Sequence, residues 1–165
     1  MKKITLLFTF LIAFGYSTYA QVSAYSFTES TEAYAQITGT TSTATGDDGS
    51  QNTVAIGFTF NYEGTDYTDF SINTNGFIRL GTTIGGSPWT NSLGNAAAQR
   101  PLIAPFWDDN NMTGGEIRYA VTGTAPNQVL TVNWHNSKIG GGGSTAGATV
   151  STLLRLYETT NTIEF

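Results

Sequence analysis

Apolar and polar residues alternate most cleanly at Val54, Ile56, Phe58 and Phe60, with Ala55, Gly57 and Thr59 between them. That period of two puts one face of a β-strand against a core. No stretch after residue 20 carries helical spacing. Runs of four to eight β-forming residues recur instead between turn residues, at Tyr25 to Thr28, Ala33 to Thr38, Tyr67 to Thr74, Phe77 to Leu80, Leu102 to Trp107, Ile117 to Val121, Val129 to Trp134, Val150 to Tyr157 and Thr162 to Phe165. Glu63-Gly64 reads as a turn. Asn75-Gly76 is the dipeptide suited to the two positive φ values of a type I′ hairpin, the other reading being one strand kinked at Gly76. The Thr/Ser/Gly/Asp-rich stretch from Gly39 to Asn52 is expected to be a polar, mobile loop. Gly81 to Arg100 is a long connection in which Ala96 to Ala98 could form one helical turn, and Gly140 to Gly143 is a flexible loop. About ten short strands without crossover helices predict an all-β fold, an antiparallel β-sandwich of jelly-roll-like or immunoglobulin-like type.

The first twenty residues change the setting. Lys2 and Lys3 precede the apolar stretch Ile4 to Gly15, and Thr18-Tyr19-Ala20 offers small residues for cleavage, the pattern of a signal peptide cut between Ala20 and Gln21. The apolar stretch falls short of the roughly 20 residues that span a bilayer, so no membrane insertion is expected after cleavage. Localisation outside the cell follows, secreted or on the outer surface. Residues 21–165 then form a single domain. The chain ends at Phe165 inside a predicted strand, which leads to the expectation of a domain cut short at its C-terminus, with an unpaired edge that recruits other copies.

Without Lys2 and Lys3 the chain keeps five basic against twelve acidic side chains, a net charge of −7, which repels phosphate backbones and anionic lipid, so no nucleic-acid partner is expected. There is no cysteine. Disulfides and thiol chemistry are excluded, and core packing must carry the fold.

Five stretches carry a resemblance: Ile56-Gly-Phe-Thr-Phe-Asn-Tyr-Glu-Gly-Thr65, Ile72-Asn-Thr-Asn-Gly-Phe-Ile-Arg-Leu-Gly81, Ile103-Ala-Pro-Phe-Trp-Asp-Asp109, Thr122-Gly-Thr-Ala-Pro-Asn127 and Leu156-Tyr-Glu-Thr-Thr-Asn-Thr-Ile-Glu-Phe165. Together they resemble the N-terminal β-sandwich module of large secreted proteins in bacteria that use type IX secretion. The Asn-Gly-aromatic and Ala-Pro-aromatic-Trp-Asp elements are similar to the nidogen-type extracellular domain. The resemblance implies surface display or adhesion, other domains of the same longer chain as neighbours, and no catalytic residues.

Candidate chemistry is sparse. Asp108, Asp109 and Asn110, followed by Asn111, are the densest set of hard oxygen donors, which calcium would favour; as Asx residues they also form ordinary turns, and that reading takes precedence. The same choice applies to Asp47-Asp48-Gly49. Trp89, Tyr62 and Tyr67 are candidate stacking platforms for a glycan, while Trp107 and Trp134 are assigned to the core. His135, the sole histidine, is placed at a strand end. One histidine and no nucleophile elbow exclude a serine triad and a multi-histidine metal site. Convergence of Asp108, Glu116 and Glu158 is the remaining route to hydrolysis. The chain therefore reads as a non-catalytic surface module without a required cofactor, binding an extracellular glycan or protein. Its alternatives are an accessory domain of a secreted hydrolase or a structural spacer.

Overall fold

The computed structural model describes residues 25–86, 89–94, 99–140 and 148–165. The signal segment, Ala96 to Ala98 and Gly141 to Gly143 lie outside them. Among the described residues ten strands follow in order: β1 (Thr40–Thr41), β2 (Ser50–Tyr62), β3 (Thr65–Asn73), β4 (Phe77–Leu80), β5 (Leu102–Ile103), β6 (Asn110–Asn111), β7 (Glu116–Thr122), β8 (Val129–Ile139), β9 (Thr149–Tyr157) and β10 (Ile163–Glu164). They form two antiparallel sheets. One has the order β1-β7-β8-β9-β10, with β6 also on β8; the other is β2-β3-β4-β5. Most consecutive strands are neighbours, so each sheet is largely a meander.

The core lies between the sheets and follows the alternation. Val54, Ile56, Phe58 and Phe60 of β2 are buried, with Phe70, Ile72, Ile78 and Leu80 from β3 and β4. They face Ile117, Leu130, Val132, Trp134, Leu154 and Leu156 of the other sheet in one cluster. At roughly 25 cal/mol per Å² of apolar area removed from water, these side chains dominate the stabilisation of a domain that has no disulfide. Trp134 Nε1 donates across the layers to the Asn73 carbonyl at 2.9 Å, which satisfies the one polar atom of a fully buried indole. Trp107 is only half-buried, tilted against Phe77 at 5.7 Å.

Several elements differ from the sequence pattern. Tyr25 to Thr28 and Ala33 to Thr38 are not strands. Residues 32–37 cross the outer face of the larger sheet and are held by side chains: Glu32 to Arg155 at 2.7 Å, Gln36 to Glu116, and the Ile37 amide to Asn133 Oδ1 at 3.4 Å. The Tyr34 ring stacks on His135 at 6.0 Å with its hydroxyl 2.7 Å from Nδ1. A chain lying on a sheet face has no edge to pair with, so β propensity there finds no ladder. Asn133 and Thr131, which point outward from β8, are buried. His135 is inside β8, paired with Glu116, because that strand runs on to Ile139.

The segment from Gly39 to Asn52 is not a mobile loop. It contributes β1 and the first residues of β2, buries Ala44 in the core, and donates Ser42 Oγ to Gln51 Oε1 at 2.7 Å. The type I′ turn is at Glu63-Gly64, with φ of 51° and 78° between the paired residues Tyr62 and Thr65. At Asn75-Gly76 the register Asn73↔Phe77 leaves a three-residue loop in which only Gly76 has positive φ, the geometry of a turn closed by a left-handed glycine. The Leu102 to Trp107 strand shrinks to β5, since Pro105 supplies no ladder donor.

Candidate functional site

The four aspartates singled out in the sequence meet at one end of the sandwich. There the β3–β4 turn is wholly buried, with Asn73, Thr74 and Asn75 all without exposure, between the loops before β2 and before β6. Thr74 donates to the Asp47 carbonyl, Asn75 Nδ2 to Asp48 Oδ1 at 3.1 Å, and the Asn110 amide to Asn75 Oδ1 at 2.8 Å. Asp108 Oδ1 accepts the Asp109 amide at 2.8 Å, and Asn111 Oδ1 accepts the Thr113 amide at 2.7 Å. The second of these is an Asx-turn bond.

The Asp109 carboxyl is held above the ordinary aspartate range by loss of solvent first, then by repulsion from Asp47, Asp48 and Asp108. Yet no group of three or more acidic or histidine side chains among the described residues is close enough to hold a metal ion. The carboxylates repel at a distance but do not converge on one point, so no ion is assigned to them. Asp47 Oδ1 and Asn110 Oδ1 are buried acceptors without a donor, a surplus of acceptors at this end.

The aromatic candidates separate. Tyr67 packs against the core under Gly81, where a Cβ would come within 2.7 Å of its ring; its role is packing. Trp89 projects half-exposed from the long connection and does not line the grooves beside Tyr62. Tyr62 closes β2 with its ring 6.1 Å from Tyr25. Burial, then Glu63, Tyr25 and Tyr67, push its hydroxyl pKa upward, so it stays protonated at neutral pH and available as a donor.

Around Tyr62 lies a groove of about 380 Å³ lined by Tyr25, Phe27, Leu102, Ile103, Ile163 and Phe165. It occupies the open side of the sandwich, where the edge strands β5 and β10 face each other. Phe27 and Phe165 are 90% and 68% exposed, an unusual display for large apolar rings. A second hollow of about 570 Å³ on the other side of Tyr62 is bounded by Glu63, Leu93, Arg100 and Pro101. Tyr25, Phe27 and Phe165 carry no sequence signal of their own; only the packing of the two sheets brings them together.

Of the three carboxylates considered for hydrolysis, Glu116 and Glu158 are held apart. Glu116 starts β7 and pairs with His135, whereas Glu158 Oε2 accepts the Gln128 amide at 2.9 Å beyond the other end of the same sheet. The seven residues of β7 at about 3.3 Å each place roughly 20 Å between these ends. The Glu116 carboxyl is lowered from its ordinary value by its hydrogen bond to Arg118, the larger cause, and by Gln36, which ties it into the outer face.

The fold is an all-β sandwich of two antiparallel sheets, and no helix among the described residues is long and apolar enough to cross a membrane. A family model described as NIDO related matches residues 24–165. The chain belongs to that family of nidogen-like extracellular domains. No curated protein and no solved structure matches it.

Proposed function

We propose that this domain is a non-catalytic adhesion module, exported behind residues 1–20, that holds an extracellular glycan in the groove around Tyr62. The observation that carries this reading is the apolar groove between β5 and β10, where Tyr25, Phe27, Tyr62 and Phe165 expose ring faces and edges. Sugar rings present C–H faces that stack on such surfaces, and the protonated Tyr62 hydroxyl supplies orientation. A net charge of −7 on residues 21–165 selects neutral or basic ligands over polyanions. The groove contains no nucleophile with a base beside it, so the reading is binding without turnover.

The test is a glycan array probed with the exported protein, its Phe27→Ala variant and its Trp89→Ala variant. Phe27 is almost fully exposed, so its truncation leaves the core intact. Retention of a related set of glycans that is lost in Phe27→Ala and kept in Trp89→Ala is expected. An array without retained glycans, or binding indifferent to Phe27, would overturn the proposal.

A further inference from the structure

Two hollows meet at Tyr62, and the second, of about 570 Å³, shares Tyr62 and Leu102 with the aromatic groove. Its other walls are Leu93 and Pro101, which are apolar, and Glu63 and Arg100, which carry opposite charges. The ion pairs among the described residues lie elsewhere, between Arg118 and Glu116 and between Arg155 and Glu32 or Glu164. Glu63 and Arg100 thus line one hollow without closing on each other.

Both side chains stand on pinned backbone. Glu63 occupies the turn after β2 with φ of 51°. Asn61 ties that turn, its Oδ1 accepting the Gly64 amide at 3.1 Å and its Nδ2 donating to Asp66 Oδ1 at 2.6 Å. Arg100 Nη2 donates to the Leu93 carbonyl at 2.8 Å, and the Pro101 carbonyl accepts the Leu80 amide of β4 at 3.1 Å. Groups held in place before a ligand arrives lower the ordering cost of binding.

The walls select the occupant. A carboxylate would meet Arg100 but be repelled by Glu63, and an ammonium would meet Glu63 but be repelled by Arg100. A neutral group with one N–H, one carbonyl oxygen and a small apolar end suits every wall. Its N–H donates to Glu63, its oxygen accepts from Arg100, and its apolar end packs on Leu93 and Pro101. An acetamido group has that composition, and the N–H and C=O of a trans amide point in opposite directions. We infer that the second hollow is a subsite for the acetamido group of an N-acetylated amino sugar. The inference rests on the glycan reading of the Tyr62 groove and gives that glycan its class, with a sugar ring on Tyr62 and the substituent beyond it. Such a sugar is neutral, in keeping with the acidic charge of the chain.

The probes are linear trimers of N-acetylglucosamine, of glucosamine and of glucose that share one linkage, titrated calorimetrically into the exported protein. The acetylated trimer should bind about tenfold or more tighter than either of the others, the worth of one or two charge-assisted hydrogen bonds. Glucosamine is the telling comparison, because its ammonium groups are drawn to an acidic protein and net charge alone would rank it first. Arg100→Met keeps an apolar stem and removes the donor; the acetylated and glucose trimers should then bind within about twofold of each other. Trp89→Ala, which lies off both hollows, should keep the full preference. Glucose or glucosamine trimers binding as tightly as the acetylated one, or a preference that survives Arg100→Met, would overturn the subsite and leave the Tyr62 groove standing as a glycan site. Failure of all three trimers to bind would also overturn the subsite, while the groove itself stands or falls by the glycan array and its Phe27→Ala variant.

Discussion

Gly76 closes the buried β3–β4 turn with φ of +80°, and a Cβ there would sit 1.9 Å from the Phe106 carbonyl oxygen. Gly64 has nearly the same φ, +78°, with nothing within 4 Å. The pair separates backbone strain from crowding. Gly64→Ala should cost about 1–2 kcal/mol, the left-handed penalty alone. Gly76→Ala adds a clash in a region that cannot relax and should cost about 3–5 kcal/mol by denaturant melts; equal losses would show that the loop before β6 yields freely.

Asp109 gives the pH dependence of the same end. Its folded-state pKa is raised by burial and by three aspartates. The stability it contributes is thus fully present below the unfolded aspartate value and is lost as pH rises through the folded one. Asp48→Asn keeps the oxygen that Asn75 Nδ2 bonds and removes one repelling charge. The Asp109 carboxyl should then titrate at lower pH by NMR, with a smaller loss of stability across the acidic range. An unmoved midpoint would leave burial as the whole cause.

At the scale of elements, the segment over the outer face differs most from its sequence pattern. Ala33 to Thr38 reads as a strand from composition, yet Tyr34, Gln36 and Glu32 act as separate polar anchors on β7, β8 and β9. Tyr34→Phe removes the hydroxyl that meets His135 Nδ1 and Asn133. The expected cost is about 1 kcal/mol, with faster amide exchange across residues 33–37 and unchanged protection in β2, because local opening there leaves the core closed. Loss of protection throughout the domain would make the segment part of the cooperative unit. Turn type was misplaced for a related reason. Asn75-Gly76 has the chemistry of a type I′ turn, but the pairing of Asn73 with Phe77 adds a residue to the loop, and loop length selects the turn.

For the whole molecule, two sheets that bury their alternating faces against each other leave one open side, and the aromatic groove between β5 and β10 lies along it.

Alternation at Val54, Ile56, Phe58 and Phe60, the Glu63-Gly64 turn and the absence of cysteine were enough to give the all-β class and a disulfide-free core from sequence alone, because side-chain period and turn chemistry are local properties of the chain. Tyr62 was legible as an aromatic at a strand end. Its neighbours Tyr25, Phe27 and Phe165, and the approach of Asp47 and Asp48 to Asp109, were decided only by tertiary structure, since each depends on which strands and loops become neighbours.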